Sequence, residues 1–235
     1  MRVVLVSSPG DPAGAPAAGH WSHAAAADLA RVLLVSGAHV EWFRVAHDGD
    51  DLPPPPPGTQ MHAFAVRPFP LHRVAAANDA MPVEIALNRS LRAHHANVVV
   101  HLGAGARGSP NIAWIANRMG SVAHAIVRAT EVVCHRGTLV DADNRPCTIA
   151  DDAERCRSCC SRSWLQRARA FDFVDRLDLL VGSLVLAAGV FVASAAEAER
   201  LAGVGVPRTS LVTTHDVQEI AARIAGRDAV SVRGA

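Results

Sequence analysis

The sequence contains no lysine and no tyrosine, so all 23 basic residues are arginine. The absence of lysine excludes a P-loop lysine, a Schiff-base lysine and an amine general base. Excess charge is also missing, because the formal net charge is only +1. A chain with so little net charge has no strong field to attract nucleic acid or anionic lipid, and we expect no nucleic-acid partner.

Long apolar segments are absent as well. The longest uncharged run covers residues 179–196 and contains two glycines, whereas a membrane span needs about 20 apolar residues. The apolar amino-terminal segment is too short for a signal peptide and predicts a buried strand instead. These features predict a cytoplasmic protein without a membrane span. Its five cysteines would then be reduced, and metal binding or catalysis is expected of them rather than disulfide bonds.

The sequence does contain a regular alternation of apolar strands and amphipathic helices, which predicts a parallel α/β sheet. No linker divides its 235 residues, and we expect one Rossmann-like domain over residues 1–235 with helices on both faces of the sheet. Strands are predicted near residues 3–6, 39–45, 61–66, 97–101, 122–127, 190–193 and 211–213. Helices are predicted near residues 20–36, 83–94, 111–119, 161–188, 194–203 and 216–226.

The loop after the first strand is rich in glycine, alanine and proline but lacks the G-x-G-x-x-G spacing of a dinucleotide site. This absence argues against a nucleotide-binding oxidoreductase. A glycine-rich loop before a helix can still accept an anionic or sugar ligand through its backbone N–H groups; a flexible loop is the alternative. The candidate residues are Gly14, Gly19, His20 and His23. The two histidines are three apart on the first helical turn, so they either face one ligand or are ordinary surface histidines.

All five cysteines lie within residues 134–160, in a polar stretch that we expect to form a cysteine-rich insertion loop over 128–160. Cys156 and Cys159 form a C-x-x-C pair, which places two thiolates on one tight turn as half of a tetrahedral site. Cys134 and Cys147 flank a turn-rich segment that could fold back as the second half. Four thiolates predict zinc, with an iron–sulfur cluster as an alternative. Reduced cysteines without a metal, or an incidental disulfide, are the remaining options.

Three segments resemble the family 4 bacterial glycosyltransferases. Residues 134–159 contain C-H-R-G, D-A-D-N-R-P-C and C-R-S-C, and they resemble the family's C-P-R-G, D-G-x-x-C and C-x-x-C segment. Residues 19–40 resemble its G-G loop, L-A-R helix and R-G-H-E-V strand. Residues 190–207 resemble its A-P-S strand, helix and G-V-P turn. The three segments occur in the family's order and cover about residues 1–215.

The resemblance implies the GT-B architecture, in which two Rossmann-like domains enclose the active-site cleft. The matching part is the amino-terminal, acceptor-side domain, and the donor domain has no counterpart before Ala235. Arg128 and Ala129 stand where the family usually has an H-D pair, and His135 replaces the proline of C-P-R-G. Residues 214–216 replace its P-N-G turn. Catalytic residues are therefore unassigned.

Ligands of open parallel sheets lie at the carboxyl ends of the strands. The candidate substrate-binding residues in such positions are His101, Arg128, His135 and Arg136. An arginine there could pair with a carboxylate or phosphate of the acceptor.

The resemblance and the residues together predict the acceptor side of a sugar transfer from a nucleotide-sugar. Either a separate donor-binding subunit completes the enzyme or the chain is a degenerate, truncated relative, and we do not expect the isolated chain to be active. The alternative, of a different class, is a non-catalytic, metal-stabilised binding or scaffold protein. The face that would meet a partner domain is expected to be apolar, which predicts a donor-domain subunit or self-association.

Overall fold

The structure is a computed structural model, and it describes residues 1–8, 21–47, 54–66, 81–103, 109–134 and 171–226, with residues 52, 139, 145 and 147. Strands and helices alternate along these ranges, as the sequence predicts. The strands are β1 Arg2–Ser7, β2 His39–His47, β3 Gln60–Val66, β4 Val98–Leu102, β5 Val122–Ile126, β6 Gly189–Val192 and β7 Leu211–Thr213. The helices are α1 Trp21–Val35, α2 Met81–His94, α3 Ile112–Arg118, α4 Ala129–Val133, α5 Phe171–Val185, α6 Ala195–Gly203 and α7 Val217–Ile224.

The strands form one seven-stranded sheet in the order β3-β2-β1-β4-β5-β6-β7. Every neighbouring pair is parallel. β1 lies in the interior of the sheet, with Val3 beside Val40 of β2 on one side and beside Val98 of β4 on the other. Along the chain, β2 and β3 are therefore added on one side of β1, and the strands from β4 onward are added on its other side.

Alternate residues of β1 point to opposite faces of the sheet. Val3 and Leu5 pack with α1 and α7, whereas Val4 and Val6 pack with α2 and α3. A third apolar cluster joins β5 and β6 to α4, α5 and α6. The single Rossmann-like domain with helices on both faces of a parallel sheet is thereby confirmed.

The predicted elements agree with the observed ones except around the cysteine-rich stretch. This stretch begins with the helix α4, which the sequence analysis does not predict. The long helix expected from residue 161 is described only from Phe171 and ends at Val185 rather than near residue 188. No helix in the described part of the chain is both long enough and apolar enough to cross a membrane.

Candidate functional site

The order of the strands reverses between β1 and β4, whose carboxyl ends lie side by side with Ser7 paired to Leu102. After β1 the chain crosses toward β2, and after β4 it crosses toward β5. Successive strands are thus added on opposite sides of this point, and open α/β sheets bind their ligands at such a reversal of strand order. We call the carboxyl ends of β1, β4 and β5 the switch-point edge.

Ser7, at the end of β1, anchors the start of α1. Its Oγ accepts a hydrogen bond from Trp42 Nε1 at 2.7 Å and lies 2.8 Å from His23 Nδ1. A serine beside a histidine resembles the nucleophile and base of a hydrolase, but Ser7 and His23 are both fully buried. Because its oxygen also accepts the indole N–H, Ser7 positions His23 rather than attacking a substrate.

The end of β1, the start of α1 and the end of β4 are in direct contact through Ser8, Ser22 and Gly103. Ser22 Oγ donates to the carbonyl oxygen of Ser8, and the backbone N–H of Ser8 donates to Leu102 at 3.1 Å. Gly103 has a φ of +82°, and a Cβ there would lie 3.0 Å from both Ser22 Cβ and the Ser8 carbonyl oxygen. Only glycine combines this backbone conformation with such a close approach.

β5 completes the edge on the other side of β4. The N–H of Gly103 donates to the carbonyl oxygen of Ile126 at 3.0 Å, and Arg128 follows two residues later as the half-buried residue before α4. His101 is buried within β4, with Val6 and Ala125 as its neighbours across the sheet.

Of the predicted ligand residues, His23, His101 and Arg128 therefore lie on elements that meet at the switch-point edge. His23 is buried against Ser7, so the surface-histidine alternative does not hold for this residue. The other candidates lie outside the described residues: Gly14, Gly19, His20, His135 and Arg136.

The charges at the helix starts favour an anionic ligand near α1 over one near α6 or α7. Ser194 caps α6, and the Glu197 carboxylate accepts the backbone N–H of Ala193 at 2.9 Å. Asp216 caps α7, whose first turn carries Glu219. The first turn of α1 has no acidic residue. Since acidic side chains already complement the positive ends of α6 and α7, the start of α1 is the better place for an anion.

Glu84, in the first turn of α2, fixes the chain just before α3. Its Oε1 accepts a hydrogen bond from Asn111 Nδ2 at 3.0 Å and a second one from Ser109 Oγ. The connection between β4 and α3 is therefore held at both ends, at Gly103 and at Ser109.

This connection carries a signal that the sequence analysis missed. Residues 103–108 are G-A-G-A-R-G, which is the G-x-G-x-x-G spacing, and they follow the buried strand β4 and precede α3. The G-x-G-x-x-G spacing is therefore missing from the first loop but present after β4. A search of every strand-to-helix connection would have found it. Residues 104–108 themselves lie outside the described ranges.

Two of the four predicted zinc ligands are described. Cys134 is buried directly after α4, Cys147 is half-buried, and both are free thiols. The backbone N–H of Cys147 donates to the carbonyl oxygen of Leu139 at 2.6 Å. No group of three metal-binding His, Cys, Asp or Glu side chains occurs among the described residues. Cys156 and Cys159 lie outside them; the two described thiols suit zinc chemically, and the site stays a prediction.

No protein-family model matches the sequence, and no curated protein matches it. Solved structures do match the fold. Sucrose-phosphate synthase from Thermosynechococcus elongatus matches with a TM-score of 0.52 and 13% identity over 97% of each chain. TcCGT1 in complex with UDP matches with a TM-score of 0.54 and 13% identity over 92% of this chain and 51% of that one.

UDP-GlcNAc 2-epimerase from Neisseria meningitidis, bound to UDP-GlcNAc, matches with a TM-score of 0.50 and 10% identity over 97% of this chain and 50% of its own. The chain thus spans about half the length of the epimerases that it matches. At these identities the likeness establishes the fold. The chain is one α/β domain with a seven-stranded parallel sheet, and it matches a Rossmann-like half of the GT-B proteins.

Proposed function

We propose that this chain is the acceptor-side half of a GT-B enzyme that transfers a sugar from a nucleotide-sugar, acting in the cytoplasm with a separate donor-binding subunit. The observation that carries the proposal is the reversal of strand order between β1 and β4 in a domain that matches one GT-B half. The names of the matching structures support the same ligand class, because UDP or UDP-GlcNAc is bound in two of them.

The proposed roles follow the position of each residue. Residues 14–23 and Arg136 would position the acceptor beside the strand ends. His101 lies in β4, and Arg128 lies two residues after the end of β5; both would contribute to ligand binding at this edge. The four cysteines would hold zinc and fix the cysteine-rich stretch beside the cleft.

A second candidate is a non-catalytic binding or scaffold protein stabilised by the metal. The observation that favours it is the pair Arg128 and Ala129, which stands where the resembling family has H-D. Under this candidate the switch-point edge would bind no sugar, while the zinc site would remain.

The test maps ligand contacts by amide chemical shifts of the ¹⁵N-labelled chain. The probes are glucose, N-acetylglucosamine, glucose 6-phosphate and UDP-N-acetylglucosamine. We expect shifts at Ser8, Gly103 and Val127. We expect none in the separate groove of about 700 Å³ between α1 and α7, which Val32 and Ala222 help to line.

A parallel assay measures UDP release from UDP-N-acetylglucosamine. We expect none from the chain alone, because the donor half belongs to the partner. Release of UDP by the pure chain, or shifts confined to the α1–α7 groove, would refute the proposal. The absence of shifts with every probe would favour the scaffold candidate.

A further inference from the structure

Apolar side chains are exposed together on the outer side of α3 and α5. Trp114 of α3 is 48% exposed, and Leu179, Val185 and Leu186 at α5 are between 43% and 53% exposed. These four are half of the eight large apolar side chains that are exposed in the described part of the chain. Such a concentration of apolar surface marks an interaction site. We call this surface the α3–α5 patch; it consists of Trp114, Leu179, Gly182, Val185 and Leu186.

The α3–α5 patch is continuous across the two helices. Asn117 Nδ2 of α3 donates a hydrogen bond to the carbonyl oxygen of Leu186 at 2.8 Å. Both helices lead back to the amino end of a parallel strand, so they run in the same direction. Trp114 lies about one turn before Asn117, as Gly182 does before Leu186. Trp114 and Gly182 are therefore at the same level of the helix layer.

Gly182 leaves the centre of the α3–α5 patch without a side chain. It lies inside α5 without a positive φ, and a Cβ there would meet no atom within 4 Å. Glycine inside a helix costs about 1 kcal/mol relative to alanine, and no contact among the described residues requires it here. Its absent side chain lets a second backbone approach α5 closely.

The two ends of the α3–α5 patch carry opposite charges. Arg118 is at one end, where its guanidinium carbon lies 5.1 Å from the centre of the Trp114 ring. Asp178 is exposed at the other end, one turn before Gly182. Neither charge takes part in an ion pair with another described residue. An apolar centre between opposite charges is complementary to a second copy of itself that is turned end to end.

We propose that the α3–α5 patch is the interface of a symmetric dimer of this chain. In this dimer α5 packs antiparallel on α5 of the second copy, and the two Gly182 residues meet at the two-fold axis. Leu179 then faces the partner subunit's Val185, because both side chains lie three residues from the axis. The centre of the interface is apolar and closely packed.

The same axis pairs the charges at the ends. Asp178 and Leu186 each lie four residues from Gly182, or about 6 Å along the helix. The partner subunit's Asp178 therefore comes to the level of Leu186. Arg118 directly follows Asn117, which is bonded to Leu186, so its guanidinium reaches that carboxylate. The dimer contains two such ion pairs.

The position of the α3–α5 patch favours a second copy over the proposed donor-binding subunit. Asn117 and Leu186 directly precede β5 and β6, so the patch extends toward the amino ends of the strands. A donor-binding subunit has to face the switch-point edge, at the carboxyl ends. The dimer thus goes beyond the proposed function and leaves the sugar site of each subunit open.

The test measures the mass of the full chain over a range of concentrations by sedimentation equilibrium. The key variant is Gly182→Arg, which places a long charged side chain at the two-fold axis. We expect it to raise the dimer dissociation constant about a hundredfold, while circular dichroism shows a folded chain. The matched control is Gly203→Arg at the end of α6, where a Cβ also meets no atom within 4 Å; it should leave the dissociation constant unchanged.

Charge reversal tests the antiparallel arrangement. Asp178→Arg alone and Arg118→Asp alone each bring like charges together, and each should weaken the dimer about tenfold or more. An equimolar mixture of the two variants should dimerise with nearly wild-type affinity, because both ion pairs form again between unlike subunits.

A wild-type chain that stays monomeric at every concentration would overturn the inference and leave the α3–α5 patch to a different protein. A dimer that Gly182→Arg does not weaken would also overturn it, as would a mixture that dimerises no better than the single variants. The proposed function is tested separately, since Gly182→Arg should keep the ligand shifts at Ser8, Gly103 and Val127. Loss of those shifts in the wild type would remove the proposed function and leave the dimer standing.

Discussion

At the scale of single residues, Glu41 is a buried carboxylate that ties four elements together. It accepts hydrogen bonds from the Arg2 guanidinium at 2.9 Å and from Ser90 Oγ at 2.8 Å, and His62 Nε2 lies 2.9 Å away. Burial opposes its ionisation, but the hydrogen bonds from Arg2 and Ser90 outweigh burial and lower the pKa of Glu41. The ionised carboxylate therefore holds β1, β3 and α2 against β2.

We predict that Glu41→Gln lowers the free energy of unfolding by roughly 2 kcal/mol at pH 7, because hydrogen bonds to a charged group are lost. A lowered folded-state pKa means that this stability is present above the ordinary glutamate pKa and is lost as pH falls through the folded value. The difference in free energy of unfolding between the variant and the wild type should become smaller below about pH 4.5. Urea unfolding at pH 7 and pH 3.5 checks this, and a gap that does not change with pH would contradict it.

His124, in β5, is a second buried titratable residue, and it packs against Phe191. Burial lowers the pKa of His124 to about 4, while a backbone hydrogen bond with Gly189 acts in the opposite direction. The imidazole is therefore neutral in the folded chain over a range where an unfolded chain would bind a proton.

We predict that the chain loses stability on acidification from pH 6.5 to pH 4, by up to about 3 kcal/mol, because only the unfolded state binds the proton there. His124→Leu should remove most of this pH dependence of the free energy of unfolding. His94 is exposed and supplies the control: His94→Leu should leave the pH dependence unchanged. Urea unfolding at several pH values tests the pair; an identical slope in His124→Leu and the wild type would show that another group is responsible.

At the scale of elements, Gly103 lets the end of β4 pack closely against the start of α1. The effect of this close packing on stability can be separated from the effect of a positive φ. Gly103 and Gly37 share a φ of +82°, but only at Gly103 would a Cβ meet neighbouring atoms. We predict that Gly37→Ala costs about 1 kcal/mol of stability, from the strained backbone alone, and that Gly103→Ala costs clearly more. Thermal or urea unfolding of both variants measures the difference. Equal losses would mean that the Ser8 carbonyl and Ser22 move aside freely.

Most elements were predictable from the sequence because their patterns are long. The fifteen residues of α1 repeat apolar side chains at helical spacing, and α6 begins at the predicted Ser194 cap. α4 was not predictable, because five residues are too few to show a helical period and two of them are valine. The partner of His23 was also hidden, since Ser7 and Trp42 come from distant strands that only the folded sheet brings to α1.

At the scale of the whole molecule, the cysteine-rich stretch lies between two parts of one sheet, between β5 and β6. If zinc binds Cys134, Cys147, Cys156 and Cys159, the ion cross-links this stretch, and its removal should destabilise the domain. We predict about one zinc per chain after purification without chelator, and a lower unfolding temperature after chelation. Elemental analysis and thermal unfolding test this, with Cys160→Ser as the variant that should keep the metal. Well under one metal ion per chain would rule the site out.

The interior position of β1 affects how the polypeptide folds during its synthesis. During synthesis β1 cannot acquire its second neighbour until β4 emerges, some ninety residues later, because Val3 pairs with Val98. Before then its apolar edge is exposed to other nascent chains, as in slow-folding proteins whose pairings are distant in sequence. Synthesis speed and chaperone capture over this interval should therefore govern how much of the protein reaches its native form.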